Sequence, residues 1–184
     1  MSLPRTIARI FLLMWLMSSV ASAQVGSIPL HVQKEMADAR LVGQGSYRWF
    51  GLKIYKAYLW SEKNTYQPES PMANRFVLEL VYERELKGVR IAETSISEIQ
   101  KLGFGTSAQL DAWLKIMQDM FPDVRKGTNL SGVYLPGQGA RFYLDGQLLK
   151  EIADPEFARA FFAIWLDKRT SAARLRDHLL GLKK

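Results

Sequence analysis

"GVYLPGQGARFYLDGQLLKEIADPEFARAFFAIWL", residues 132–166, changes its period from strand to helix and so decides the fold. Two β-rich runs, Gly132–Leu135 and Arg141–Leu144, flank Pro136-Gly137-Gln138-Gly139, which reads as a longer turn. Asp145-Gly146 then divides "RFYL" from "QLLKEI" with the dipeptide of a tight two-residue hairpin. Asp154 follows as a helix cap with Pro155 at the first helical position. The succeeding "EFARAFFAIWL" is apolar nearly all round, which predicts a buried helix lying on the strands before it.

Upstream the same alternation of classes repeats. Residues 40–61 hold two β-rich runs, "ARLVGQGSYRWF" and "LKIYKAYLWSE". In "RFVLELVYE", Phe76, Leu78, Leu80 and Tyr82 alternate with Val77, Glu79, Val81 and Glu83, the period of a strand. Residues 88–101 read as a helix. A second helix begins at "TSAQ", where Thr106 and Gln109 have capping-box spacing, and its Leu110, Trp113, Leu114 and Met117 form one apolar stripe, read as core packing. "SAARLRDHLLG" closes the chain as an amphipathic helix stopped by Gly181. Strands, two helices, strands, two helices predict an α+β fold with helices layered on an antiparallel sheet.

The chain starts with Arg5 and Arg9, then "IFLLMWLMSSV", then Ala21-Ser22-Ala23, the layout of a cleaved secretory signal peptide. Removing residues 1–23 leaves 161 residues, read as a single domain over 24–184, in the periplasm or secreted. Its apolar run is shorter than the about 20 residues of a permanent membrane anchor. The net charge of +7 falls to +5 with Arg5 and Arg9 gone and is spread along the chain, so nucleic-acid binding is not expected. Cysteine is absent, and His31 and His178 stand far apart, so neither disulfides, a metal site nor a cofactor is expected.

Three stretches carry a family resemblance: "GQGSYRWFGLKIYKAYLW" (43–60), the 132–166 segment, and the closing "LRDHLLG". In order and spacing they resemble the chalcone isomerase-like superfamily, specifically its exported bacterial branch. The resemblance implies an open-faced β-sandwich: a large antiparallel sheet, a layer of helices, and a cleft between them. Among its members are plant enzymes that close a flavanone ring and plant proteins that bind fatty acids. Fold follows from such a likeness more directly than function.

Position by position, the enzyme's polar groups are missing. Its Arg after the paired glycines matches Tyr47, its Thr on the next strand matches Lys53, its Tyr at the helix head matches Ile91, and its Asn matches Glu98. Chemistry that steers an oxyanion and a bound water needs such groups, so the resemblance argues against chalcone isomerisation. The fatty-acid binders also keep the Arg, so another group must supply positive charge.

Read as one extended ribbon, residues 45–60 place Tyr47, Trp49, Gly51, Lys53, Tyr55 and Ala57 on one face, unless Gly51 marks a bulge or turn that breaks the count. Candidate ligand-contacting residues are therefore Tyr47, Trp49, Lys53, Tyr55 and Ile91, with Arg90 and Arg141 as weaker cations. The leading expectation is a non-catalytic protein that binds a small amphipathic or anionic molecule, such as a fatty acid, in the cleft. One alternative is an isomerase- or lyase-type enzyme using Lys53 or a Tyr as acid, base or Schiff-base former. Another is an envelope interaction protein whose cleft is filled by Trp49, Phe50 or Trp113.

Overall fold

A computed structural model describes residues 28–62 and 66–183; residues 1–23, read from the sequence as a signal peptide, lie outside them. The elements are α1 (Leu30–Glu35), β1 (Ala39–Trp49), β2 (Leu52–Glu62), β3 (Phe76–Tyr82), α2 (Gly88–Lys101), α3 (Ser107–Met120), β4 (Asn129–Leu135), β5 (Gly139–Leu144), β6 (Gln147–Ile152), α4 (Pro155–Leu166) and α5 (Ala173–Leu179). The six strands form one antiparallel meander in the order β1-β2-β3-β4-β5-β6. This is the α+β open-faced sheet with a helical layer that the sequence predicts.

Local chemistry sets most of the boundaries. Thr106 and Gln109 close the reciprocal capping box at the start of α3. Asp154 accepts from Glu156 N and Phe157 N to cap α4, and its other oxygen accepts from Trp113 Nε1 at 3.0 Å, tying α3 to α4. Asp145 and Gly146 both have positive φ, as the β5–β6 turn requires. Nine residues of α4 are buried, so the all-round apolar helix lies in the core. There Phe157, Phe161 and Phe162 mesh with Phe76, Phe142 and Tyr134 in edge-to-face and stacked pairs.

The paired glycines of β1 are explained by the last helix. A Cβ on Gly43 would sit 2.0 Å from the His178 carbonyl oxygen, and one on Gly45 would sit 2.7 Å from Leu175 Cδ1. Without side chains there, α5 packs directly on the strand backbone.

The opposite face of the sheet carries a smaller cluster of Val32, Met36, Trp60, Val77 and Val133, covered by α1, a helix absent from the sequence reading. A polar chain crosses this face. Ser131 donates to Asn129 Oδ1 at 2.8 Å, so the 2.9 Å contact with His31 is made by Nε2–H donating to Ser131 Oγ. Asn129 Nδ2 donates to Glu79, which also accepts from Trp60 Nε1 at 2.9 Å. Glu35 accepts from the Tyr143 hydroxyl at 2.5 Å and from Arg141 at 3.0 Å.

Desolvation lowers the His31 pKa from its usual value, against the opposing charges of Glu79 and Glu35. A folded-state pKa below the unfolded one means that this contribution is present above about pH 6.5 and is lost as pH falls toward the lower folded value. The denaturant midpoint is expected to drop between pH 7 and pH 5. His31→Gln, titrated in parallel, should flatten that slope; an unchanged slope would assign it to other groups.

Candidate functional site

A hairpin, a bulge and a helix build the cleft. β1 and β2 turn at Phe50 and Gly51, both with positive φ. Tyr47 pairs with Tyr55, but the next pair is Arg48 with Lys53, so Ile54 is an extra residue in β2. On β3, Tyr82 lies opposite Tyr55. The result is a row of tyrosines across three strands, with Tyr47 stacked on Tyr55 at 5.2 Å and Tyr55 edge-on to Tyr82 at 5.9 Å.

The row forms one wall of a cleft of about 560 Å³ between the sheet and α2. Leu80, Ile91, Phe121, Ile164 and Trp165 line its apolar part. That volume lies within the roughly 300–1,000 Å³ of small-molecule sites, which are likewise mostly apolar with few polar groups. The mouth carries two cations, each paired with an acid: Arg90 with Glu93 at 2.8 Å, and Lys101 with Glu98 at 2.7 Å. Burial works against the ionised Glu98, but hydrogen bonds from Lys101 and Ser171 outweigh it and lower its pKa.

Deeper in, the polar groups include two phenols and the Ser95 hydroxyl, which donates to the Ile91 carbonyl at 2.8 Å. Trp165 Nε1 donates to the Tyr55 hydroxyl at 3.0 Å. The Tyr55 proton has no acceptor among the described residues, and the Tyr82 hydroxyl makes no hydrogen bond to any of them, although Tyr82 is only 3% exposed. Desolvation raises both pKa values well above the ordinary phenol range. Both groups therefore stay protonated at physiological pH and can act as donors, not as bases.

Of the residues singled out from the sequence, Tyr47, Trp49, Tyr55 and Ile91 line this cleft together with Arg90. Lys53 does not: it is exposed and outside the lining, which corrects the continuous-ribbon count. Without the bulge, Lys53 would pair with Trp49 and share its face. The extra Ile54 shifts the register by one, and a one-residue shift reverses the face. Three of the four positions that depart from the enzyme, Tyr47, Ile91 and Glu98, thus lie on one cleft, and the fourth lies off it.

Arg141 is held between Glu35 and Glu151 on the other side of the sheet. Trp49 and Phe50 point largely to solvent and Trp113 is in the core, so none of the three fills the cleft. The sequence reading missed Tyr82 as a site residue; its inward parity in "FVLELVY" was the available signal.

Comparison with known proteins matches residues 20–181 to a chalcone isomerase-like family model. An uncharacterised protein of Haemophilus influenzae is 34% identical over 144 residues, spanning 78% of this chain and 68% of that protein. Among solved structures, a fatty-acid binding protein of Arabidopsis thaliana superposes with a TM-score of 0.56 at 12% identity, covering 78% of this chain and 87% of that one. At that identity the superposition establishes a shared fold.

Proposed function

The chain belongs to the chalcone isomerase-like family, and from that premise we propose that it binds, without transforming it, one small amphipathic molecule of fatty-acid or related lipid type, outside the cytoplasmic membrane. The observation that carries this reading is a pair of adjacent phenol donors in an apolar cleft, Tyr82 buried and Tyr55 half-buried. A buried polar group without a partner costs about 1–3 kcal/mol, and among the described residues the Tyr82 hydroxyl has none. A carbonyl or carboxyl oxygen placed between Tyr55 and Tyr82 would accept both protons while its acyl chain lies against Leu80, Ile91, Phe121 and Ile164.

The ion pairs at the mouth favour an acid or ester group, seated inside on the phenols, over a phosphate. Arg90 and Lys101 are already paired with Glu93 and Glu98, so a strongly charged headgroup would face both carboxylates. The Arabidopsis structural neighbour is by name a fatty-acid binding protein, which favours the same ligand class. Against an enzyme with altered residues stand the exposed Lys53 and the protonated phenols, which leave no base among the groups that reading invoked.

The direct test is to delipidate the purified protein, expose it to mixed free fatty acids and phospholipids, and identify what it retains by mass spectrometry after gel filtration. One acyl ligand per chain is expected; retention no greater than that of a control protein removes the reading. Tyr82→Phe sharpens it. Deleting an unpartnered buried hydroxyl should raise the stability of the ligand-free protein by about 1 kcal/mol. The same change should weaken acyl-ligand binding roughly five- to ten-fold. A hydroxyl that served only structure would not move the two quantities in opposite directions.

A further inference from the structure

The β1–β2 turn combines three locally unfavourable choices. Phe50 has φ +46, in the left-handed region where glycine, asparagine and aspartate are favoured and a bulky aromatic residue is strained. It gains little burial in return, being 86% exposed, and its neighbours Trp49 and Leu52 are 60% and 52% exposed. Arg48 and Lys53 face each other directly across the hairpin, a like-charge pair that destabilises strand pairing. Two local contacts offset part of this cost: Arg48 donates to the Gly51 carbonyl at 3.1 Å, and Phe50 packs edge-on against Trp49 at 4.9 Å. Both leave the rings and the two cations exposed, and local rules broken together mark function more often than defect.

The tip is also placed to reach a surface. β3 pairs with β2 only from Tyr55 onward, so residues 48–53 extend past the sheet. From position 39 to 61 the chain has no carboxylate, while Arg40, Arg48, Lys53 and Lys56 are cationic; of these, Lys56 lies 3.8 Å from Glu83.

We propose that this tip is a reversible docking element for an anionic lipid bilayer. Trp49, Phe50 and Leu52 enter the interfacial layer, where amphipathic aromatic rings are favoured, and Arg48 and Lys53 meet the headgroups. An anionic surface relieves the repulsion between those two cations, each of which gains from the negative surface potential. Trp49 also lines the cleft, so the docked tip sets the cleft beside the bilayer. The docking itself does not depend on what the cleft holds.

The test uses vesicles of phosphatidylglycerol mixed with phosphatidylcholine, and vesicles of phosphatidylcholine alone, in co-sedimentation at low and moderate salt. Both the full chain and the chain starting at Gln24 are used. Every element described lies within residues 28–183, and the shorter chain removes the apolar run at 10–20 as an anchor. The shorter chain is expected to bind the anionic vesicles, with binding weakened by salt and by omission of phosphatidylglycerol.

Phe50→Asn, which suits the turn better and should not harm folding, is expected to weaken partitioning about ten-fold. Lys53→Glu should weaken it by at least about ten-fold on anionic vesicles and by much less on neutral ones. No binding by the shorter chain, or binding unchanged in both variants, overturns the proposal. So does a concentration-dependent dimer that Phe50→Asn abolishes, which would make the tip a contact between two copies. Retention of acyl ligands by the free protein is read separately, so the two readings can fail independently.

Discussion

Replacing Phe162 with alanine is expected to lower stability by about 4 kcal/mol, within the range for emptying a buried aromatic site, and to lower Tm by roughly 10 °C. Phe162 is fully buried and sits edge-on to Phe76, Tyr134 and Phe161 at centroid distances of 5.0, 5.6 and 5.4 Å. Its ring occupies a slot that β4 opens by having Gly132 beneath it: a Cβ there would lie 2.9 Å from the ring's Cζ. The surrounding rings are held by one another and by the sheet, so the cavity cannot collapse cheaply. Denaturant unfolding with an unchanged m-value would attribute the loss to the native state. Gly132→Ala should also destabilise. Combined with Phe162→Leu, its cost should be smaller than the sum of the two single changes, because the two sites share one space.

A second large effect is expected on ligand retention. Ile91 is half-buried in the first turn of α2 and faces the cleft near its mouth. Ile91→Trp should fill that mouth and reduce acyl-ligand retention at least ten-fold, while unfolding stability stays within about 1 kcal/mol of the parent. Ile91→Ala widens the same passage and should preserve retention. If the Trp variant still binds while the fold is intact, the ligand is not in this cleft. Blocking the cleft should leave vesicle docking untouched, because Arg48, Phe50, Leu52 and Lys53 lie outside the cleft lining.

Most elements of the fold were legible in the sequence because short-range forces set them. The capping box of Thr106 and Gln109, the Asp154–Pro155 start of α4 and the Asp145–Gly146 turn each satisfy backbone groups within a few residues. The alternation of Phe76 to Tyr82 put one face of β3 inward, and the all-round apolar α4 could only be core. α1 was not legible. It is six residues long, and its His31 and Glu35 take partners about a hundred positions away, Ser131 and Tyr143.

The cleft divides along the same line. Its location followed from the family, and Tyr47, Trp49, Tyr55 and Ile91 lie on it, but the charge expected from Lys53 does not. Period-two counting holds only along an unbroken strand, and this strand turns at Phe50 and Gly51 and then bulges at Ile54. The sequence by itself determined the order of the elements after α1, their caps and turns, and the inward face of the central strand, since these depend on neighbours in the chain. Only the tertiary structure decided which side chains meet in the cleft: the register across the hairpin sends Lys53 outward, and the pairing of β2 with β3 sets Tyr55 beside Tyr82, leaving two phenol protons without an acceptor among the described residues.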